Sequence, residues 1–294
     1  MSKFSKQLVT LARQGRGSFK TIADRSKIAA RFSDRLAKMN IQIRDVKHIK
    51  TSHIVKYINS RQAENISART LQNEMSAIRA VLSSAGRNKL ADPHNEQLSN
   101  QALGISGANR DGTKLPIPDD RLKDVISDVA QKDPGAALIV ELSRYIGLRT
   151  EEAVQSAKSL KTWQSDLQKG NERIRVVFGT KGGRVRESTI FDREKVQSIL
   201  ERAIKHCDEN NGKLIDRPSL HSAIDRYRNT VREAGLEGKY SPHSLRYAYA
   251  RDAVTHHIKS GMSRAEAEAL VSMDLGHGDG RGRYIQQVYF RSDD

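Results

Sequence analysis

Two short segments of the chain each place an arginine three residues from a side chain that could assist it. In Gly-Leu-Arg-Thr-Glu-Glu, Glu152 follows Arg149, so a helix beginning near Arg149 would let the carboxylate orient the guanidinium. In Ser-Pro-His-Ser-Leu-Arg, His243 precedes Arg246 directly after a proline. Free N–H groups and the dipole at a helix N-terminus favour a phosphate. The segments predict phosphate chemistry, although each alone also fits a helix start with a surface ion pair or a histidine cap.

Direct attack on a phosphodiester also needs a nucleophile and a proton for the leaving oxygen. Lys181 lies in Gly-Thr-Lys-Gly-Gly-Arg between two β-rich runs, where a flexible ammonium can donate a proton that a fixed arginine cannot. Tyr284 and Tyr289 are candidate nucleophiles, because a phenol reacts when nearby charge or a base favours loss of its proton. His277 precedes both in Asp-Leu-Gly-His. A solvated turn lysine and core or groove tyrosines are the structural alternatives.

The first hundred residues are predicted to be helical, because their apolar residues recur at helical spacing. The clearest apolar stripe lies in residues 70–82, where Thr70 is a candidate N-cap. The stripe consists of Leu71, Met75, Ile78 and Leu82. Arg61, Arg69 and Arg79 fall outside it, and we expect them to face a partner.

The composition changes in residues 98–115, which hold three glycines and many small polar residues typical of a linker. We predict a helical domain over residues 1–112, a linker at 113–117 and a second domain over 118–294.

In the second domain, residues 173–178 and 185–190 have β character and flank Gly182 and Gly183. This pattern predicts a tight hairpin whose turn requires positive φ angles. Helices are predicted around 192–208, 219–235, 243–259 and 263–273, the last with the capping-box spacing Ser263–Glu266. The predicted fold class is therefore mainly α with a small β-hairpin (α+β).

The net charge of +16 is concentrated in the N-terminal part of the chain. Residues 1–115 carry 21 Lys and Arg against 8 Asp and Glu, which gives +13, whereas residues 116–294 carry 30 against 27, which gives +3. This asymmetry favours a nucleic acid as the partner of the N-terminal part, with a solvated basic surface as the alternative.

Composition also argues against several classes of protein. No apolar run approaches the roughly 20 residues of a membrane helix, and the N-terminus lacks an apolar signal core. The single cysteine, Cys207, cannot form an internal disulfide and offers no zinc site. We expect a cytoplasmic protein, nucleoid-associated when bound to DNA, with no metal and no membrane association.

Taken in order, the chemical residues resemble the active-site boxes of the tyrosine recombinases, the phage-integrase family. The matching boxes are Gly-Leu-Arg149-Thr-Glu-Glu152, Lys181 between two strands, Pro-His243-Ser-Leu-Arg246, Leu-Gly-His277 and a C-terminal tyrosine. Residues 66–79 also resemble the last helices of the family's core-binding domain. The resemblance implies a helical, SAM-like core-binding domain followed by a tyrosine-recombinase catalytic domain.

The resemblance implies a site-specific DNA recombinase or integrase of a mobile genetic element. Four residues would hold the scissile phosphate: Arg149, His243, Arg246 and His277. Lys181 would protonate the leaving 5′ oxygen, and Tyr289 would form a 3′-phosphotyrosine that a second 5′-hydroxyl reverses. That link retains the bond energy, so no cofactor is expected.

The tyrosine spacing departs from the family pattern, in which the nucleophile usually lies nine residues after the Leu-Gly-His histidine. Tyr284 is seven residues after His277 and Tyr289 is twelve after it. Residues 278–283 resemble a glycine-rich insertion of about three residues. Because Val-Tyr-Phe resembles the end of the family's box, Tyr289 is the predicted nucleophile and Tyr284 the alternative.

The expected partner is double-stranded DNA, bound as a homotetramer in synapsis, with DNA-bending accessory proteins as further partners. Free of DNA, the chain would be a monomer or weak oligomer. The predicted DNA contacts are Arg61, Arg69, Arg79, Arg184 and Arg186. A topoisomerase IB-like enzyme and a DNA-binding accessory protein with a decayed active site are the alternatives. An RNA-binding helical protein is disfavoured, because aromatic residues make up only 5% of the chain and base stacking needs them.

Overall fold

The computed structural model describes residues 1–290, which divide into two units between Asn109 and Arg110. Both units are built from α-helices, and the second also contains a two-stranded antiparallel sheet. The predicted fold class, mainly α with a small β-hairpin, is confirmed. None of the helices within residues 1–290 has the length and apolar character needed to cross a bilayer.

The first unit packs its helices around one apolar core. Its helices are α1 (Lys3–Gln14), α2 (Phe19–Lys38), α3 (Thr51–Gln62), α4 (Ala68–Ser84) and α5 (Asn88–Ala91). The predicted stripe on α4 is buried in that core. The predicted cap at Thr70 is wrong, because α4 begins earlier: the Ser67 hydroxyl accepts from the Thr70 N–H at 3.3 Å and so caps the helix.

A buried carboxylate joins three helices of the first unit. Glu74 on α4 is 1% exposed and accepts from the Tyr57 hydroxyl at 2.8 Å and from Arg61 Nη2 at 2.8 Å, both on α3. It also accepts from Arg31 on α2 at 2.7 Å. Burial alone would raise the pKa of Glu74, but its hydrogen bonds with Arg61 and Tyr57 lower that pKa below its usual value. The network therefore keeps a charged carboxylate inside the unit.

Two arginines that we expected to face a partner are engaged within the first unit instead. Arg61 is 8% exposed and is held by Glu74 and Glu64. Arg79 donates to the Leu98 carbonyl at 2.7 Å and to the Asn100 side chain at 3.1 Å. That expectation is wrong for both, because their guanidiniums satisfy buried or half-buried acceptors of the unit itself. Arg69 is exposed.

The second unit contains the remaining elements. Its helices are α6 (Asp119–Lys132), α7 (Pro134–Ile146), α8 (Thr150–Val154), α9 (Leu160–Gln168), α10 (Arg193–Glu209), α11 (Leu220–Glu233), α12 (His243–Lys259), α13 (Arg264–Asp274) and α14 (Gly282–Tyr289), and its strands are β1 (Arg173–Val176) and β2 (Arg186–Thr189). The predicted capping box between Ser263 and Glu266 is present. Residues 113–117, predicted as a linker, lie in this unit, where Ile117 is buried in the core. The DNA-binding and catalytic roles of the two domains stay predictions.

The hairpin differs from its predicted form in the length of its connection. Val176 pairs with Arg186, so residues 177–185 join the strands instead of a tight turn. Gly182 and Gly183 have φ angles of 71° and 69°, as the glycine pair predicted. Within this connection, an added Cβ at Gly179 would lie 2.5 Å from the Glu151 carbonyl oxygen. The connection therefore packs closely on the start of α8.

We expect Glu74→Gln to lower the free energy of unfolding by about 3 kcal/mol, because it removes the buried countercharge of Arg61 and leaves that guanidinium only the exposed carboxylate of Glu64. Urea unfolding followed by far-ultraviolet circular dichroism measures the change. The control is Glu64→Gln, which removes the other, exposed partner of Arg61 and should cost clearly less than Glu74→Gln, because water screens that pair. Equal losses in the two variants would show that burial of Glu74 does not set the cost.

Candidate active site

Arg149 stands at the N-terminal end of α8 and is oriented from two sides. Its Nη1 donates to Glu152 Oε1 at 2.7 Å, and the other carboxylate oxygen accepts from the Arg149 backbone N–H at 2.8 Å. Its Nη2 donates to the Leu275 carbonyl at the end of α13 at 2.7 Å. Glu152 is 1% exposed. The three-residue spacing thus produces the contact that the sequence predicted.

Arg246 lies in the first turn of α12 and is fully buried. Its two terminal nitrogens donate to the carbonyls of Gly147 and Leu275. Its Nε, also buried, has no hydrogen-bond partner among residues 1–290. Burial lowers the pKa of Arg246 to about 10, so the guanidinium stays charged at neutral pH. A charged group with an unused donor is suited to receive an anion.

A third guanidinium belongs to Arg186 on β2, which the sequence suggested as a DNA contact. Arg186 is 6% exposed and donates to Glu152 Oε2 at 2.7 Å, to the Gly147 carbonyl at 3.1 Å and to the Asp274 carbonyl. This placement corrects the DNA-contact prediction, because the side chain is enclosed by the second unit. Arg186 thus shares Glu152 with Arg149 and the Gly147 carbonyl with Arg246.

Three guanidiniums therefore surround one carboxylate. Arg149, Arg186 and Arg246 bring three positive charges, and Glu152 brings one negative charge. Asp274 does not offset the difference, since its carboxylate is paired with Arg173 at 2.5 Å. The cluster carries an excess of two positive charges in a low-dielectric setting, which favours binding of an anion.

The cluster's charge acts on both candidate histidines. Burial and the charges of Arg246 and Arg149 lower the pKa of His277 to about 3. His243 keeps solvent access, yet partial desolvation of its ring, followed by the same two charges, lowers its pKa to about 4. Both rings are therefore neutral at physiological pH and can each accept one hydrogen bond and donate another.

Tyr289 ends α14 with its side chain turned into the cluster. It is 1% exposed, and its hydroxyl lies 3.0 Å from His277 Nε2. Its ring centroid lies 4.5 Å from that of Tyr247 and 6.3 Å from that of His243. Its phenol is also within electrostatic reach of Arg246.

The alternative tyrosine, Tyr284, packs its ring 4.7 Å from the ring of His277. Both tyrosines therefore contact His277, but with different groups. Tyr289 presents its hydroxyl to the histidine nitrogen, whereas the contact between Tyr284 and His277 is between ring faces and edges. This geometry favours Tyr289 as the reactive group.

Lys181 does not join the cluster by direct contact. It is exposed in the connection between β1 and β2, and within residues 1–290 it forms no hydrogen bond or ion pair. Arg184 in the same connection is also exposed. The close approach of Gly179 to α8 places the base of this connection beside the helix that carries Glu152. Lys181 and Arg184 are thus available at the rim of the site and are not part of its buried floor.

Sequence reasoning missed the role of Arg186 although a signal was present. Successive residues of a strand face opposite sides, so Arg186 shares a face with Ser188 and Ile190. Both of these are buried, and Ile190 is the kind of residue that marks the inner face from sequence alone. Tyr247, which packs between His243 and Tyr289, had no comparable signal, because residues 244–250 of α12 are all buried and show no amphipathic pattern.

Among residues 1–290, no group of three or more His, Cys, Asp and Glu side chains is arranged to hold a metal ion.

Comparisons with known proteins add the following findings. A family model described as "Integrase" matches residues 104–252, and one described as "Phage integrase, N-terminal" matches residues 1–91. A search of curated proteins gives no significant match.

Solved structures share the fold at low sequence identity. The Tn1549 transposon integrase with a circular intermediate DNA has 14% identity and a TM-score of 0.62, covering 100% of this chain and 96% of that chain. The XerH site-specific recombinase bound to a palindromic difH substrate has 16% identity and a TM-score of 0.60, covering 96% and 80%. A lambda integrase tetramer bound to a Holliday junction has 16% identity and a TM-score of 0.59, covering 99% and 78%.

The charge cluster around Glu152 makes the free energy of unfolding fall at acid pH. The charges of Arg186, Arg246 and Arg149 outweigh desolvation and lower the pKa of Glu152 from 4.5 to about 2. A lowered folded-state pKa contributes stability at neutral pH that is lost as the pH falls from about 4.5 through about 2. We therefore expect Glu152→Gln to have a free energy of unfolding about 3 kcal/mol lower than wild type at neutral pH, because it lacks the contribution that wild type loses in acid.

Urea unfolding of wild type and Glu152→Gln as the pH is lowered from 7 to about 3 measures this difference. Wild type should lose stability over that range, and Glu152→Gln should start lower and change less. The control is Glu151→Gln, which alters the adjacent, exposed carboxylate and should follow wild type. Parallel acid limbs for wild type and Glu152→Gln would contradict the prediction.

Proposed function

This chain belongs to the phage integrase family of tyrosine recombinases, and we propose that it cleaves and rejoins DNA strands through a 3′-phosphotyrosine formed by Tyr289. The observation that carries the proposal is the buried excess of guanidinium charge beside a tyrosine whose hydroxyl bonds His277 at 3.0 Å. A phosphodiester supplies the negative charge that this cluster lacks.

In the first step, the Tyr289 oxygen attacks the scissile phosphorus and the 5′ oxygen leaves. Arg149 and Arg246 compensate the charge on the non-bridging oxygens, with the unused Nε of Arg246 as an available donor. His243, at the start of α12, adds a hydrogen bond to the phosphate. The bond energy passes to the phosphotyrosine link, so a 5′-hydroxyl can reverse the step without a cofactor.

Two proton transfers accompany the attack. His277 is neutral and its Nε2 is the nearest nitrogen to the phenol, so it accepts the Tyr289 proton. The bound phosphate offsets the arginine charges that lower the pKa of His277, and this makes the ring a better base when substrate is present. Lys181, exposed on the hairpin connection, reaches over the bound strand and protonates the leaving 5′ oxygen.

The proposed substrate is duplex DNA, and the proposed role is recombination for a mobile genetic element. The basic first unit would hold the duplex, because residues 1–109 carry 19 Lys and Arg against 7 Asp and Glu, and this excess of +12 suits a polyanion. Exchange between two duplexes requires four active sites, and the lambda integrase neighbour is a tetramer on a Holliday junction. We therefore propose that this chain also acts as a tetramer on DNA.

Tyr289→Phe should abolish the covalent DNA complex and leave DNA affinity within about twofold of wild type, because only the attacking oxygen is removed. The measurement uses a nicked suicide duplex that traps the covalent product, followed by mass mapping of the DNA-linked peptide. The matched variant is Tyr284→Phe, which should still form the complex. Loss of the complex in Tyr284→Phe alone would move the nucleophile to Tyr284.

Two further assays, relaxation of a supercoiled circle and strand joining between two duplexes, together with the covalent-complex assay, separate the other functions open to this fold. A topoisomerase-like enzyme would relax a supercoiled circle without joining two duplexes. An accessory protein with a decayed site would bind DNA and give no covalent complex with the wild-type chain. Strand joining between two duplexes by the wild-type chain supports the recombinase.

Arg246→Lys should slow covalent-complex formation by about 100-fold to 1000-fold, because an ammonium cannot bind the Gly147 and Leu275 carbonyls and also present a fork to the phosphate. The control is Arg217→Lys, which changes an exposed arginine of the same unit. A second substrate carries a neutral methylphosphonate at the scissile position, where no charge needs compensation, and on it the gap between wild type and Arg246→Lys should narrow. An equal deficit on both substrates would contradict charge compensation by Arg246.

A further inference from the structure

Residues 111–114, here called the strap, lie against the helix that carries Tyr289. The Gly112 N–H donates to the Gln287 carbonyl at 3.4 Å. The Gln287 side chain in turn donates to Asp111 Oδ1 at 3.0 Å. The strap is thus bonded to α14 from both its backbone and its side chain.

The fit between strap and helix leaves no room for a side chain at Gly112. An added Cβ would lie 1.9 Å from the Val288 carbonyl oxygen and 2.8 Å from the Tyr247 hydroxyl. The obstacle is backbone of α14, which cannot yield as a flexible side chain could. Only glycine permits this approach, because the strap backbone lies directly on the last turn of α14.

The other end of the strap is fixed beside the start of α12. Lys114 Nζ donates to the Gly238 carbonyl at 2.7 Å, and the next residue, Leu115, donates its N–H to the Lys239 carbonyl at 3.1 Å. Gly238 begins the short turn of 3-10 helix that leads into His243. The strap therefore connects the position of α14 to the segment that presents His243.

Tyr247 lies between the strap and the site and contacts both. Its hydroxyl interacts with the backbone of Lys114 and Thr113. Its ring packs 4.5 Å from the ring of Tyr289 and 5.5 Å from that of His243. Contacts therefore run without a break from the strap through Tyr247 to Tyr289.

The helix that bears Tyr289 needs such support. It is eight residues long, and its N-cap residue, Arg281, makes no side-chain capping bond. Helices this short are marginal in isolation, so contacts with the rest of the unit must hold α14 in place. At the C-terminal end of α14, Arg251 Nε donates a hydrogen bond to the Tyr289 carbonyl at 3.2 Å.

We propose that the strap is a positioning element for DNA cleavage, which fixes the Tyr289 hydroxyl relative to the arginine cluster. This inference rests on the proposed function of Tyr289. A displacement of about 1 Å at a reacting atom can cost about 100-fold in rate. Asp111 and Gly112 of the strap bond to Gln287 on α14, so loss of these bonds should impair attack by Tyr289 more than it weakens DNA binding.

The test compares three variants of the full chain. Gly112→Ala forces strap and helix apart, Asp111→Ala removes the acceptor for Gln287, and Asp111→Asn retains that acceptor as an amide oxygen. Each is assayed for the single-turnover rate of covalent-complex formation on the nicked suicide duplex at saturating DNA, for DNA affinity, and for amide hydrogen exchange in a peptide covering residues 282–290.

We expect Gly112→Ala and Asp111→Ala to cleave about 10-fold to 100-fold more slowly, with DNA affinity within about twofold of wild type. Their 282–290 peptide should exchange faster, while a peptide covering 264–274 is unchanged. Asp111→Asn should restore near-normal cleavage and exchange.

Wild-type cleavage by Asp111→Ala and Gly112→Ala would overturn the proposal. So would equal slowing by Asp111→Asn and Asp111→Ala, or a parallel loss of DNA affinity and exchange protection throughout the second unit, since these would indicate a charge effect or general destabilisation. Absence of a covalent complex with the wild-type chain would instead refute the proposed function. The exchange measurement still reports in that case whether the strap holds α14.

Discussion

The site depends on confining three guanidiniums around a single buried carboxylate. Burying three cations in an apolar interior costs free energy unless each cation finds hydrogen-bond acceptors and an anion offsets the remaining charge. Glu152 serves Arg149 and Arg186 through both of its oxygens. The positive charge that Glu152 does not neutralise favours an anion at this position.

The remaining acceptors come from the ends of helices. Gly147 follows the C-terminal end of α7 in a left-handed conformation, and Leu275 follows the end of α13. Carbonyls at a helix C-terminus lack intrahelical donors and lie at the negative end of the dipole. Arg246 and Arg186 both use the Gly147 carbonyl, and Arg246 and Arg149 both use that of Leu275. Two helix ends therefore hold all three cations without adding a second carboxylate that would reduce their charge.

Local residue spacing predicted the contacts within a single element. It failed for side chains whose burial depends on a partner distant in the sequence. The contact between Arg149 and Glu152 follows from a three-residue interval at a helix start, and the positive φ angles of Gly182 and Gly183 follow from the type of residue. From the sequence, Arg61 is expected to face a partner because it lies outside the apolar stripe, and Arg186 is expected to contact DNA because it lies near Lys181 at the hairpin. Their burial depends on Glu74 and on Glu152, carboxylates that lie 13 and 34 residues away and whose positions no local pattern specifies.

The position of Tyr289, the proposed nucleophile, shows why counting residues from a motif is a weak guide. After Leu275, glycines at 276, 278 and 280 adopt φ angles of 65°, 90° and 72°, conformations that let the chain turn before α14 begins at Gly282. This glycine-rich segment forms the turn, and α14 is held by its contacts with the strap, with α12 and with α13. The tyrosine that reaches the cluster is then the one at the fixed end of α14. That end carries Tyr289, whereas Tyr284 lies more than one turn earlier and packs beside His277.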